Sequence, residues 1–233
     1  VQGLVLDIKV GNGAFMETLE QAKGLGKLLK EVGELYGLKV STCFTDMNQP
    51  LGNSAGLWCE VRESVECLKG NGPDDLMAVV YHLGKSALEI AGIENPEEKL
   101  KSNIENGKAF EIFKEMIKAH GGAFESITDP RIHEPKYRQK IFVEKDGYIS
   151  GLNTLVLGNV LVQLGGGRVN KDDIIDPTAG IIFYKKVGDI VHAGEGILEY
   201  FCSNPSDFET GDTFLKNVYT ILSTKPNPPP LIY

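Results

Sequence analysis

Three stretches of this chain hold residue types and spacings that can do chemistry. The first is Lys9-Val10-Gly11-Asn12-Gly13-Ala14-Phe15-Met16. A glycine-rich turn that leaves a strand can expose backbone N–H groups, and a helix start beyond it favours negative charge, so the stretch suits an anion. It carries neither the Gly-Lys-Ser/Thr ending of a Walker loop nor a Gly-x-Gly-x-x-Gly fingerprint, and a tight structural turn fits it equally. The second is Thr45-Asp46-Met47-Asn48-Gln49-Pro50-Leu51, followed by Glu60 and Glu63 at a spacing of three on an expected helix. Loop carbonyls plus a carboxylate suit a hard cation; a solvated helix face is the plainer reading of the two glutamates. The third is Gly165-Gly166-Gly167-Arg168. It could cradle phosphate, or it could end a helix and begin a bulge.

A fourth stretch, Gly188-Asp189-Ile190-Val191-His192-Ala193-Gly194, has the Gly-Asp-x-Val-x-x-Gly spacing of the hammerhead turn in biotinyl and lipoyl carrier domains. Those domains present a modified lysine, usually in Met-Lys-Met. That tripeptide does not occur here, so the expectation is a barrel-like sandwich without a prosthetic group. His82, His120, His133 and His192 stand at no metal-ligand spacing, so zinc is not expected. Cys43, Cys59, Cys67 and Cys202 form no Cys-x-x-Cys; they read as small buried hydrophobes in a reducing, cytoplasmic setting.

The elements that must position these stretches follow from periodicity and breakers. Leu4–Val10 predicts a buried strand, Thr18 to about Tyr36 an amphipathic helix stopped by Gly37, and Lys39–Phe44 a second strand. That is a strand–helix–strand unit with a right-handed parallel crossover. The Thr45 loop lies at the carboxyl end of its strand, where open α/β sheets bind ligands. Helices are expected over Ser54–Leu68, from Asp74 or Asp75 to Ala91, and from Pro96 on to His120. A linker is placed at 124–136, around Pro130 and Pro135. It separates 1–123, part of a mixed, mainly parallel α/β sheet with flanking helices, from 137–233, a smaller α+β domain. In the latter, strands are expected at Gln139–Glu144, Tyr148–Ser150, from Gly180 and from Gly196. Helices are expected at Leu152–Leu164, capped by Asn153, and at Asp207–Leu222, before an extended proline-rich tail.

Composition narrows the classes. The 233 residues carry a net charge of −8, with 42% hydrophobic and 24% charged residues, which fits a folded globular chain. No apolar run is long enough for a membrane helix, and no basic stripe suits a nucleic-acid backbone.

Taken in order, the motifs resemble one family. Leu4–Met16 is similar to the LVLDVKVGSGAFM run of pyrimidine-nucleoside and thymidine phosphorylases, and Thr45–Gly52 to their TDM-QPLG. Glu60-Val61-Arg62-Glu63 is similar to their EVREA, and Gly165–Arg168 with Ile174 and Asp176 to the GGGR…ID of their C-terminal domain. The resemblance implies phosphorolysis of thymidine or uridine to free base and (deoxy)ribose 1-phosphate, with phosphate as co-substrate, in a cytoplasmic homodimer that closes a helical domain on an α/β domain. It implies a monovalent cation, usually potassium, with three of its ligands in this stretch, the carbonyls of Leu51 and Ser54 and the carboxylate of Glu63, and the two remaining ligands expected before Val1. It places Phe15 and Met16 at the base pocket, and Asp7 and Lys9 as supporting residues, a mutual ion pair, with no assigned step. No catalytic residue is expected in this segment.

The family's Lys-His-Ser/Thr-Thr-Gly-Gly phosphate loop, its SGRGLxxTGGTxDxxE signature and the Arg, Ser and Lys that grip the base are not in this sequence, which opens at Val1 in an expected strand. The expectation is the carboxyl portion of a longer enzyme, inactive alone. Two alternatives are a non-catalytic module that reuses the scaffold, and a related phosphorylase of nucleoside monophosphates. The latter would need a basic cluster for the substrate's 5′-phosphate, and this stretch shows none.

Overall fold

A computed structural model describes residues 1–129, 131–215 and 218–233, with the side chains of 212–214 also left aside. Strands β1 (Gly3–Val10) and β2 (Lys39–Asp46) pair in parallel, Gly3 opposite Lys39 and Val10 opposite Asp46. A parallel pair needs a long connection, and α1 (Leu19–Leu35) supplies it. A capping box starts the helix: Gln21 N–H donates to the Thr18 hydroxyl and Thr18 N–H to the Gln21 side chain. Ile8, Val10 and Ala22 form a small core under α1 with Leu25 and Phe44 packed against it. Gly26 permits that close approach, since a Cβ there would lie 3.0 Å from both Ile8 and the Phe44 ring.

The opposite face of the pair is covered by α3 (Asp74–Ile90), where Gly3 abuts Ile90 and Cys43 meets Ser86. Residues Ser54–Gly56, expected as the start of a helix, are instead a short strand, β3, before α2 (Leu57–Leu68). The reason is long-range: β3 pairs with β6 (Gly180–Phe183), which outweighs local helical preference. The helical stretch after Pro96 is two helices, α4 (Pro96–Glu105) and α5 (Lys108–Ala119), separated at Gly107 with φ 74°. The segment from 124 opens with α6 (Phe124–Thr128); Pro130 lies outside the described residues.

Beyond it the fold is mostly antiparallel. One sheet has the order β3-β6-β8-β4, with β4 Tyr137–Phe142 and β8 Gly196–Cys202. The other has the order β7-β5-β9, with β5 Gly147–Leu152, β7 Ile190–Val191 and β9 Tyr219–Leu222. A continuous core that includes Ile149, Leu164, Ile181, Leu198 and Tyr200 holds the sheets and α7 (Thr154–Leu161) together. The helix expected over Asp207–Leu222 is shorter: α8 spans Pro205–Phe214, and 219–222 is a strand pairing with β5. Lys216 and Asn217, within that expected helix, lie outside the described residues. Among the described residues the parallel part of the α/β architecture is thus the β1–β2 pair, followed by the antiparallel α+β portion. After the proline-rich stretch, Leu231–Tyr233 returns to run antiparallel to the end of β2, with Asp46 N–H donating to Leu231 O at 2.9 Å and Tyr233 N–H to Phe44 O at 3.0 Å.

Candidate functional site

The loops that leave β1 and β2 come together at the carboxyl ends of the strands. Gly13 N–H donates to Met47 O at 3.0 Å and Met47 N–H to Val10 O at 2.6 Å. Gly11 has φ 132° and packs against Asn48, where a Cβ would lie 2.7 Å from the side chain, so only glycine fits. The turn uses its N–H groups internally. Gly11 donates to Met16 O and Ala14 to Gly11 O, and Asn12 donates to Asn48 Oδ1 at 3.0 Å. The amides of Gly11, Asn12, Gly13 and Ala14 are thus all taken up within the junction, as a tight structural turn requires.

Asp7, Lys9 and Thr45 form a closed polar triad. Lys9 Nζ donates to Asp7 Oδ2 at 2.5 Å and to Thr45 Oγ1 at 2.8 Å, while the Thr45 hydroxyl donates to Asp7 Oδ1 at 2.6 Å. Strand register makes this possible, because Lys9 lies opposite Thr45 and Asp7 is two residues back on the same face. Thr45 is only 1% exposed, and its hydroxyl is satisfied in both directions. The ion pair expected between Asp7 and Lys9 is present, with Thr45 as a third member that spacing along the chain does not reveal.

Phe15 and Met16 lie in the loop after β1, beside a cavity of about 630 Å³ that Asp7, Lys9, Leu25 and Leu155 also line. Phe15 itself is 100% exposed. A neighbouring cavity of about 560 Å³ is lined by Leu51, Ser54 and Glu63, and across from them by Thr154, Leu157 and Phe183. The two cavities share Gly13, Met47 and Leu155 in their walls, so they adjoin. The structure thus divides the expected site residues into two neighbouring groups.

Glu63 points back at its own loop. Its Oε1 accepts Asn53 N–H at 2.8 Å and the Ser54 hydroxyl at 3.3 Å. Burial raises its carboxyl above the ordinary 4.5, against the lowering effect of the Asn53 and Ser54 hydrogen bonds and of the Lys186 charge. Glu60 lines the same cavity and accepts Gly56 N–H at 2.8 Å. Among the described residues no cluster of three or more His, Cys, Asp or Glu could hold a metal ion. A partly desolvated carboxylate is a hard oxygen donor, of the kind that suits a hard cation better than a transition metal.

Other motifs resolve plainly. Gly165, at φ 88°, ends α7 through a single π turn over Val162–Gly166 and accepts Asp176 N–H at 2.8 Å. A Cβ on Gly165 would lie 3.2 Å from the Asp207 carboxylate. Negative charge there opposes phosphate, so the glycines act as a helix end. Three of the thiols are held protonated by their surroundings: burial raises Cys59 and Cys202 to about 11 and also raises Cys67.

Sequence reasoning missed the contacts that hold these loops from the far end of the chain. Asn12 Oδ1 accepts Thr154 N–H at 2.8 Å, and its Nδ2 donates to Leu152 O at 3.2 Å. Val187 N–H donates to Gln49 Oε1 at 3.0 Å. Lys186 Nζ donates to Pro50 O at 3.0 Å and pairs with Asp75. The partners lie between 111 and 142 residues apart, so no local signal marks them.

The fold and these loops define a class. Residues 148–222 match the family model described as pyrimidine nucleoside phosphorylase C-terminal domain. The similarity extends well beyond that stretch. The chain is 33% identical over 235 residues to the pyrimidine-nucleoside phosphorylase of Geobacillus stearothermophilus, covering 99% of this chain and 54% of the relative. It is 37% identical over 200 residues to the enzyme of the same name from Staphylococcus epidermidis and 38% to one from Staphylococcus aureus, each match covering 84% of this chain and 46% of the relative. The chain is thus similar to the C-terminal portion of pyrimidine-nucleoside phosphorylases, with that family's C-terminal domain at 148–222. It spans about half the length of the curated relatives it matches.

Proposed function

We propose that this chain supplies the C-terminal portion of a pyrimidine-nucleoside phosphorylase, which transfers a pentose from a pyrimidine base to phosphate. The observation that carries the reading is the junction of the loops after two parallel strands: Gly11–Met16 and Met47–Ser54 are hydrogen-bonded to each other and wall two adjoining cavities. In the reaction a phosphate oxygen bonds to C1′ as the C1′–N bond breaks, and the base departs with the electron pair. Positioning and charge stabilisation are the protein's main contributions.

Within that reaction Phe15 and Met16 offer an apolar wall to the pyrimidine ring, and burying an exposed phenylalanine gains about 1.5–3 kcal/mol. The Asp7–Lys9–Thr45 triad holds the end of β1 rigid. Leu51, Ser54 and Glu63 would hold a potassium ion, which when bound adds positive charge near the phosphate and steadies the loop. Thymidine or uridine and phosphate are the substrates, and the working unit is a homodimer.

Neither cavity is lined by an arginine among the described residues, and the one lysine lining them, Lys9, is bonded to Asp7 and Thr45. Phosphate must therefore be gripped by groups these cavities do not supply, and the chain alone should not turn over. The test is release of free base from thymidine or uridine with inorganic phosphate. It compares the chain alone with the chain joined to the part of the Geobacillus stearothermophilus relative that it does not match. Activity only in the joined protein, reduced and stripped of its potassium response by Glu63→Ala, is the expected result. Turnover by the chain alone would refute the divided site. Inactivity of a folded joined protein would favour a non-catalytic module.

A further inference from the structure

The turn between β6 and β7 carries a lysine that the phosphorylase reading does not use. Lys186 is largely buried, its side chain 18% exposed, and it reaches across to the loop after β2. There it donates to Pro50 O at 3.0 Å and pairs with Asp75. The same Asp75 oxygen accepts Gly52 N–H at 3.3 Å, and its other oxygen accepts Leu76 N–H at 2.8 Å. Next along the loop, Glu63 takes Asn53 N–H and the Ser54 hydroxyl. Residues 50–54 are thus gripped by one ammonium and two carboxylates, leaving a local excess of one negative charge.

The lysine is well placed to fix the loop because its own backbone is fixed. Lys186 N–H donates to Asp189 Oδ2 at 2.8 Å and Asp189 N–H to Lys186 O at 3.1 Å. Gly188 N–H donates to Ile149 O at 2.8 Å, inside the buried core. The Gly-Asp turn thereby holds this lysine in place. Beside it, Val187 N–H holds Gln49.

We infer that Lys186 is a positioning residue for the cation loop: its ammonium, clamped between Pro50 O and Asp75, sets the register in which Leu51, Ser54 and Glu63 offer oxygen atoms to a monovalent cation. This rests on the cation reading given above. It makes the C-terminal domain part of the site, acting through the loop and not by touching a ligand.

The test is a potassium titration of the thermal midpoint of the full chain, with choline chloride keeping ionic strength constant. The proteins compared are wild type, Lys186→Met, Lys186→Arg, Asp75→Asn and Glu63→Gln, and emission from Trp58, the single tryptophan, checks that each is folded. Lys186→Met should raise the half-saturating potassium by about tenfold or more, the scale of one lost charge-assisted hydrogen bond. Lys186→Arg should stay close to wild type. Asp75→Asn frees the same ammonium, should shift potassium in the same direction, and serves if Lys186→Met does not fold. Unchanged or tighter potassium binding in Lys186→Met or Asp75→Asn overturns the inference, while a response in wild type that Glu63→Gln abolishes leaves the cation reading standing. Where the wild-type chain alone shows no difference between potassium and choline, the same titration is made on the joined protein described above, and no difference there overturns both.

Discussion

The two portions of the chain bury their apolar residues differently. In 137–233, Ile149, Leu164, Ile181, Leu198 and Tyr200 expose essentially no surface and belong to one continuous cluster. In 1–123 the corresponding cluster is Ile8, Val10 and Ala22. Helices α4 and α5 there bury no residue fully, and α1 turns Leu28, Val32 and Leu35 outward. The β1–β2 pair has β1 as an edge among the described residues. The candidate ligand loops grow from this thin pair, yet they are pinned by Asn12, Gln49 and Pro50 to the better-packed portion. The portion with the smaller core is thus tied, at its candidate loops, to the portion with the larger one.

The strongest way to break this comparison is truncation inside each core. Leu198→Ala should cost about 2–5 kcal/mol, near the upper end, because the site is enclosed on every side and cannot collapse. Ile8→Ala, in the smaller cluster, should cost about 2 kcal/mol. Denaturant unfolding of each variant is the measurement, and equal costs would show that the two cores are equally enclosed. Next in size is Asn12→Ala. It removes the acceptor for Thr154 N–H and donors to Leu152 O and Asn48 O, at a cost of about 1–3 kcal/mol. Amide exchange at Thr154 should accelerate. Unchanged exchange would mean that the loop is not pinned there.

Much of this layout was legible in the sequence. The β1–α1–β2 unit follows from an apolar run, a Thr18–Gln21 cap and Gly37, all of them local signals. The expected companionship of Asp7 with Lys9 and of Ser54 with Glu63 is present, because each pair is joined by strand pleat or by one loop and one helical turn. What escaped was non-local. Ser54–Gly56 and Tyr219–Leu222 are strands only because β6 and β5 lie beside them. The Leu231–Tyr233 return to β2 and the reach of Lys186 have no neighbour in sequence to announce them. The glycine turn was legible only as two alternatives, an anion cradle or a tight turn; Asn48 and Met47, which take up its amides, are distant in sequence.

A pH experiment sharpens the comparison within the junction. Burial lifts the Glu63 carboxyl above 4.5 in the folded chain, so the folded state holds that proton more tightly than the unfolded state does. Stability from this group is therefore present at low pH and falls as pH rises through the interval between the ordinary and the raised value. Glu63→Gln should flatten the weakly acidic part of the stability curve and gain on wild type near neutrality in choline. Potassium should reverse that order by favouring the carboxylate. A variant that loses stability more steeply with rising pH would contradict the burial argument.

The smallest expected effect tests the exposed face of the thin portion. Leu28, Val32 and Leu35 recur at intervals of four and three along α1 and so form one stripe. Leu35 is 87% exposed. Truncating it removes little buried area, and alanine is at least as good a helix former, so Leu35→Ala should change stability by less than about 0.5 kcal/mol. Ala22, on the inner face, exposes no surface, and Ala22→Ser should cost more because it puts a hydroxyl against Ile8 and Val10. If denaturant unfolding instead shows Leu35→Ala to be the costlier change, the stripe is covered in solution, and the contrast between the two portions reflects what α1 meets there and not how the chain itself packs.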